Sequence, residues 1–433
     1  MYSPEIQEML DSEGIEVGDL VKADGRKGKL MPKPESGDEE VLLLKLDSGY
    51  NVGVSPEELE LVEKRDMDER EKPPVEHDED RPDVMILHTG GTIASRISYE
   101  KGGVKPEFDP EDLVEMYPEL AEEVNIHSEV VAQMLSEDME PGHWVEIAEK
   151  IDEVKDDYDG IVVGHGTDTM QYTGAALSLM LQNIDTGVML VGAQRSSDRP
   201  SSDAAMNLYC AAKFLTETDF QGFGVCMHSG TSDTTCDIMP ANKVRKMHTS
   251  RRDAFSPVNT EPIGRVDYEE GEVIDEDYEN PAGEYRKRTD LDSDVGYLKV
   301  RPGMEPDEID FLLEKDYSGV IIEGTGLGHM PVNAFDEKTQ HHDEILEKID
   351  ELADQAVVVM ASQCVNGRIN MNVYDAGLKI QQAGVIQAED MHPELAYVKL
   401  VWSLGNSEDL EEAREKFRKD FSGEITRRSV FSD

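Results

Sequence analysis

Two short stretches place threonine hydroxyls beside glycines: Val84-Met-Ile-Leu-His-Thr-Gly-Gly-Thr-Ile-Ala-Ser-Arg96 and Ile161-Val-Val-Gly-His-Gly-Thr-Asp-Thr-Met170. Each starts as an apolar run of strand length and ends in small, hydroxylic residues. That is the pattern of a buried parallel strand opening into a loop at its carboxyl end. In open α/β sheets, ligands occupy the crevice at those ends. Thr89, Thr92, Thr167 and Asp168 are therefore expected around one pocket. Acyl transfer needs a nucleophilic oxygen next to unhindered backbone N–H groups, because the developing oxyanion must find its donors already in place.

Thr89-Gly-Gly-Thr92-Ile-Ala and His165-Gly-Thr-Asp-Thr-Met170 resemble the two signature motifs of the L-asparaginase family, in the family's order and spacing. The resemblance covers roughly residues 82–433. The additional amino-terminal segment resembles one branch of it, the archaeal glutamyl-tRNA(Gln) amidotransferase subunits of type D. An amide is a poor electrophile, so the implied route is covalent: a hydroxyl attacks the side-chain amide carbon, ammonia leaves, and water releases the acid. The resemblance puts the nucleophile at Thr92; the competing reading of that residue is a helix N-cap. Tyr99 resembles the family's loop tyrosine, although its loop is shorter here than in free-standing members. Lys246 lies in a segment, Asn242 to Pro257, similar to the family's lysine motif. With Thr167 and Asp168 it forms the second catalytic set, in which a partly buried lysine moves a proton through Thr167 to the leaving ammonia. The alternative is a Lys246–Asp168 salt bridge without a chemical role. Which threonine attacks first, and which group is the base, stay open.

Ser136-Glu-Asp-Met139 resembles the family's Ser-Gln-Asp-Met substrate loop. Ser136 is expected to bind the substrate α-carboxylate, and Glu137, in place of the usual glutamine, to pair with the α-ammonium. Gly91 and Gly166 complete the expected substrate-binding set. No metal site is expected. The loops Glu323-Gly-Thr-Gly-Leu-Gly328 and Ser362-Gln-Cys-Val-Asn-Gly367 resemble loops of the family's second domain, and no Walker pattern occurs. ATP and Mg²⁺ are accordingly expected at a partner subunit of type E, with this chain carrying no cofactor. The resemblance implies a glutaminase, with asparagine as the alternative substrate, that supplies ammonia to that partner, which converts Glu-tRNA(Gln) to Gln-tRNA(Gln). It further implies a homodimer within a heterotetramer that meets charged tRNA(Gln) through the complex. Two alternatives are a free-standing L-asparaginase and, from another class, a non-catalytic module binding a small anion on the glycine-rich loops.

Charge is the dominant compositional feature: 94 Asp plus Glu against 42 Lys plus Arg give −52 over 433 residues. Such self-repulsion opposes the compact state at ordinary salt. At 1 M salt the Debye length falls to about 3 Å, so most of it is screened. The acids are spread along the whole chain, which reads as adaptation to a very salty cytoplasm and argues against this chain gripping nucleic acid by itself. The amino terminus lacks the basic-then-apolar pattern of a signal peptide, and no apolar run approaches the ~18 residues of a membrane span. A cytoplasmic location with no membrane contact is expected. Cys210, Cys226, Cys236 and Cys364 show no metal-binding spacing and read as free thiols.

The elements that must position these residues follow from periodicity. Residues 1–62 carry short strand candidates separated by Gly-containing turns, which suggests a small all-β barrel. Residues 63–83 are acidic, Pro-containing and nearly devoid of apolar residues, the composition of a linker. Strands alternate with helices through 84–265, predicting an asparaginase-like α/β domain whose parallel sheet has helices on both faces. Residues 266–294 break the alternation and read as a hairpin and crossover, and 295–433 read as a smaller asparaginase-like α/β domain.

Overall fold

A computed structural model describes residues 2–33, 40–46, 51–64, 77–90, 95–98, 103–106, 113, 117–195 and 202–428, with the backbone alone at 95–98 and 103–106. The amino-terminal unit begins with a helix, Pro4–Ser12, that the strand pattern does not announce. Five strands follow: β1 (Leu20–Ala23), β2 (Arg26–Leu30), β3 (Leu42–Lys45), β4 (Asn51–Val54) and β5 (Glu60–Glu63). They form one antiparallel sheet in the order β4-β3-β2-β1-β5. The pairing of β1 with β5 shifts register between Leu20 and Val21. Ile6 and Leu10 of the helix close over Val21, Ala23, Leu30, Leu42 and Leu44, so the unit has a core of its own. The expected small all-β unit is thus an antiparallel five-stranded sheet with a helix packed on it.

The large domain is built on β6 (Asp83–Gly90), β9 (Asn125–Met134), β10 (Gly160–Gly164), β12 (Gly187–Val191), β13 (Gly222–His228), β14 (Thr235–Pro240), β17 (Gly264–Asp267) and β18 (Glu272–Glu276). Between β6 and β9 lies a hairpin, β7 (Ser95–Ser98) with β8 (Gly103–Pro106). The sheet order is β18-β17-β14-β13-β12-β10-β6-β9. The five strands from β13 to β9 are parallel, as the alternation predicts. The remaining three are antiparallel, and no crossover helix lies between them. The expected surface hairpin is β17–β18, with Asp267 opposite Glu272.

Side chains of the central strands alternate cleanly between two cores. Met85, Leu87, Ile161, Val163, Val188 and Leu190 face one layer, with the helices Pro141–Val154 and Met170–Met180. Val84, Ile86, Val162, Met189 and Val191 face the other, with the helix Ala204–Glu217. The helix Met170–Met180 buries Ala176, Leu177 and Met180. β11 (Leu181–Gln182) follows it directly and pairs with β19 (Arg286–Lys287) of the crossover.

The small domain is a four-stranded parallel sheet, β20 (Val295–Lys299), β21 (Gly319–Gly324), β22 (Val357–Ser362) and β23 (Ile386–Gln387). Its two inner strands again alternate. Ile321, Val357, Val359 and Ala361 join the first core of the large domain, whereas Val320, Ile322, Val358 and Met360 face a separate one. The helix Pro393–Gly405 lies between the two sheets and packs on the helix Met170–Met180. The two domains therefore share one continuous apolar layer.

Candidate active site

β6 and β10 are neighbours, with His88 opposite Gly164, so both hydroxyl-bearing loops leave the same end of the sheet. Gly90 closes β6 with φ of +107°, a backbone region hostile to side chains; an added Cβ there would lie 2.2 Å from the Met134 carbonyl oxygen. Thr89 does not face the pocket as expected. It is 1 % exposed, and its hydroxyl donates to the Gly164 carbonyl at 3.0 Å, tying the two strand ends together. Gly91, Thr92 and Tyr99 lie outside the described residues.

The second set converges on one atom. Lys246 Nζ donates to Thr167 Oγ1 at 2.8 Å and to Asp168 Oδ1 at 2.6 Å. The Lys246 side chain is 11 % exposed, whereas that of Asp168 is 65 % exposed, so the carboxylate keeps an open face. Lys246 is the last residue of β15 (Val244–Lys246), which pairs with β16 (Phe255–Pro257). Val244 and Phe255 anchor this hairpin in the first core. Segments separated by 78 residues of chain thus meet because one core holds both.

The loop that carries Thr167 is shaped by its neighbours. A Cβ on Gly166 would sit 2.6 Å from Ser136 Cβ, so glycine is what lets the substrate-loop serine approach. Ser136 is buried at the start of a 3-10 turn, Ser136–Asp138, and its carbonyl accepts from Thr169 Oγ1 at 2.7 Å. Glu137 follows it, exposed. Sequence reasoning missed Gly192. A Cβ there would fall 2.6 Å from Met170 Cε and 2.7 Å from Thr167 Cγ2, so the residue that follows β12 must be glycine to leave room for the threonine. The signal is present in the apolar run 188–191 ending in glycine, a third strand built like the two hydroxyl-bearing ones.

Two histidines at this end of the sheet, His88 and His165, are buried. Burial pulls His165 down to about 4. Its Nδ1 lies 2.6 Å from the Gly166 carbonyl oxygen and therefore donates, leaving Nε2 to accept from Thr173 Oγ1 at 2.8 Å. It is a neutral clamp between the loop and the helix that follows. Burial likewise pulls His88 to about 4.

The basic stretch around Lys246 is consumed by pairing. Lys243 Nζ meets Asp390 at 2.7 Å and Arg245 meets Glu394 at 2.7 Å, both across to the small domain. Arg251 pairs with Asp253, and Arg252 with Asp233. In the small domain, the two glycine-containing loops lie side by side at the ends of β21 and β22: Ser362 Oγ donates to the Gly326 carbonyl at 2.7 Å.

Three families match the chain: Asparaginase, N-terminal, over residues 83–278; Glutaminase/Asparaginase C-terminal domain, over 294–417; and GatD N-terminal domain, over 15–64. The D-type glutamyl-tRNA(Gln) amidotransferase subunit of Pyrococcus furiosus is 45% identical, over 97% of each chain. The chain belongs to the family of D-type glutamyl-tRNA(Gln) amidotransferase subunits. Another member, from Methanothermobacter thermautotrophicus, is 43% identical over 99% of this chain and 98% of its own. Among solved structures, the L-asparaginase of Thermococcus kodakarensis matches with a TM-score of 0.71 and 32% identity, over 79% of this chain and 99% of its own. L-asparaginase I of Vibrio cholerae matches at 0.68 and 28%, over 80% and 99%. The fold expected from the two motifs, an asparaginase-like core behind a small β domain, is therefore the fold of this member of the D-type family. No helix among the described residues is long and apolar enough to cross a membrane.

Proposed function

We propose that this chain is the amidase component of a tRNA-dependent amidotransferase, hydrolysing glutamine and handing ammonia to a type E partner. The observation that carries the reading is the bridge from Lys246 Nζ to Thr167 Oγ1 and Asp168 Oδ1, one strand away from the loop that contains Thr92. Thr92 attacks the carboxamide carbon, the tetrahedral intermediate collapses with loss of ammonia, and water then frees glutamate. Thr167 and Lys246 relay the proton that the leaving nitrogen needs. Asp168 orients the lysine through one oxygen and keeps an exposed face for the substrate ammonium. Ser136 and Glu137 belong to the neighbouring loop after β9, packed against Gly166, and would hold the substrate α-carboxylate and α-ammonium. ATP, Mg²⁺ and the activated Glu-tRNA(Gln) belong to the partner, and the working particle pairs two copies of each of the two chains.

Thr92→Ala should abolish ammonia release and leave the circular dichroism spectrum unchanged; near-normal turnover would move the nucleophile elsewhere. Affinity purification at high salt should recover a partner that makes glutamine hydrolysis respond to charged tRNA(Gln). Full asparagine hydrolysis indifferent to partner and tRNA would favour a free-standing asparaginase. We read the charge of −52 as halophilic. Dilution from multimolar salt to tens of millimolar should then lower the thermal midpoint steeply, since the Debye length grows from about 3 Å to beyond 10 Å. A flat response would remove that reading.

A further inference from the structure

At the opposite end of β6 from the site, three side chains turn toward one point. Asp83 opens β6, and His127 stands on the neighbouring β9, where it is the cross-strand partner of Met85. His77 approaches from the segment that precedes β6. His127 Nε2 lies 2.9 Å from Asp83 Oδ1, and His77 Nδ1 lies 3.8 Å from the same oxygen. One ligand atom from each residue falls within 4.8 Å of the other two.

These separations can be compared with a coordination sphere. Zinc bound at about 2.0–2.1 Å in a tetrahedron keeps its ligand atoms about 3.3 Å apart. The observed 2.9 and 3.8 Å from Asp83 straddle that value, and the two imidazole ligand atoms lie within 4.8 Å of each other and must draw together to bind the ion. The backbone behind the ligands is already held. Asn125 is 4 % exposed; its side chain accepts from Asp78 N at 3.0 Å and donates to the carbonyls of Asp78 at 2.9 Å and Arg81 at 3.0 Å. That fixes the residue next to His77. The Tyr158 ring lies 5.0 Å from the His127 ring and walls one side. Asp83 N donates to Asp159 at 2.8 Å, which fixes the start of the strand.

We propose that His77, Asp83 and His127 form a binding site for a divalent transition-metal ion. Two imidazoles and one carboxylate suit zinc, cobalt or nickel better than magnesium or calcium, which take oxygen ligands. Three protein ligands leave coordination positions for water. The role is structural: an eight-residue strand puts this site on the order of 20 Å from the end that carries Thr89. The ion fastens His77, which follows the acidic segment 65–76 in sequence, to the edge of the large sheet.

The test is a cobalt titration of the full-length, chelator-treated chain in high potassium chloride. Excess magnesium is present to occupy the carboxylates of the acidic surface. One cobalt ion per chain should bind with a visible ligand-field band, and zinc should displace it. His77→Ala and His127→Ala should each weaken binding tenfold or more while leaving glutamine hydrolysis unchanged. His77 is exposed and carries no core contact, so its variant will fold. Absence of saturable binding, or an affinity unchanged in both variants, overturns the proposal.

Discussion

Two lysine–carboxylate pairs in this molecule have the same 2.6 Å separation and opposite surroundings. Lys246 and Asp168 stand at the crevice with side chains 11 % and 65 % exposed, while Lys399 and Glu424 in the small domain are both fully buried. The buried pair is saturated. Lys399 Nζ also donates to the Lys419 carbonyl and lies over the Phe417 and Phe421 rings, and Glu424 accepts from the backbone N–H groups of Phe421 and Ser422. Burial pulls the Lys399 ammonium below its ordinary range. It pushes Glu424 up, but the charge and hydrogen bond of Lys399 outweigh it and hold the carboxyl low. Asp168, by contrast, keeps lone pairs free. Contact distance therefore says little about what a charge pair does; the capacity left over after pairing says more.

The comparison breaks most sharply under parallel substitutions. Lys246→Met should lower ammonia release by about 10²–10⁴-fold, the span of a lost proton relay. It should change stability by at most about 1 kcal/mol, because a pair with one exposed member is worth little. Normal turnover in that variant would reduce the Lys246–Asp168 contact to a surface salt bridge. Lys399→Met should do the reverse. Stranding the buried Glu424 should cost about 3–5 kcal/mol in chemical denaturation, with kcat unchanged in the fraction that folds. Adding Glu424→Gln, which keeps an acceptor for the backbone N–H groups but removes the charge, should restore much of that loss. No recovery would mean that packing of the lysine stem, rather than the stranded charge, dominates.

The sequence was most legible where a physical constraint acts on every residue of a segment. The parallel strands β6, β10 and β12 are buried on both faces, so each reads as an apolar run; β10 and β12 match their runs to within one residue, whereas β6 continues past the apolar Val84–Leu87 through His88 to Gly90. β9 lies at the sheet edge with a mixed burial pattern; only its first residues look like strand, and its extension to Met134 is set by pairing with β6. β14, β17 and β18 escape an alternation rule because antiparallel neighbours need no helix between them. In the site, Thr167, Asp168 and Lys246 were legible through motif resemblance, but their convergence rests on Val244 and Phe255 entering a core that also holds the helix after Asp168. Thr89 shows the opposite failure. Its residue type suits chemistry, yet a strand-end carbonyl claims its hydroxyl, and no local pattern announces that. The pairs Lys243–Asp390 and Arg245–Glu394 were equally hidden, since 147 and 149 residues separate their members.

Those two hidden pairs give the comparison its finest test. Their basic members precede Lys246 in sequence, and both pairs are largely withdrawn from solvent, Lys243–Asp390 with side chains 5 % and 3 % exposed and Arg245–Glu394 with 29 % and 10 %, so they should behave as structure and respond to acid. Burial pushes the Glu394 carboxyl up, yet His392 and the charge of Arg245 outweigh it and pull it to about 2. Asp390 shifts in the same direction: burial opposes ionisation, and Lys243 and Thr426 prevail. An unfolded glutamate titrates near 4.3. A carboxyl lower in the folded state contributes stability that is fully present above the unfolded value and is lost as pH falls through the folded one. The window for Glu394 is therefore from about 4 down to about 2, and its contribution is about 2–3 kcal/mol. Asp420 has the opposite sign, raised to about 6 by burial and then by Glu424, so its effect is a loss of stability as pH rises from about 4 through 6. Urea midpoints at high salt should thus fall below pH 4 in the native chain. Glu394→Gln should flatten that acid limb and leave the pH 4–6 region alone, whereas Asp420→Asn should do the converse. If Glu394→Gln leaves the acid limb unchanged, the pairs beside Lys246 do not hold the two domains together, and the position of the lysine must come from the shared apolar layer alone.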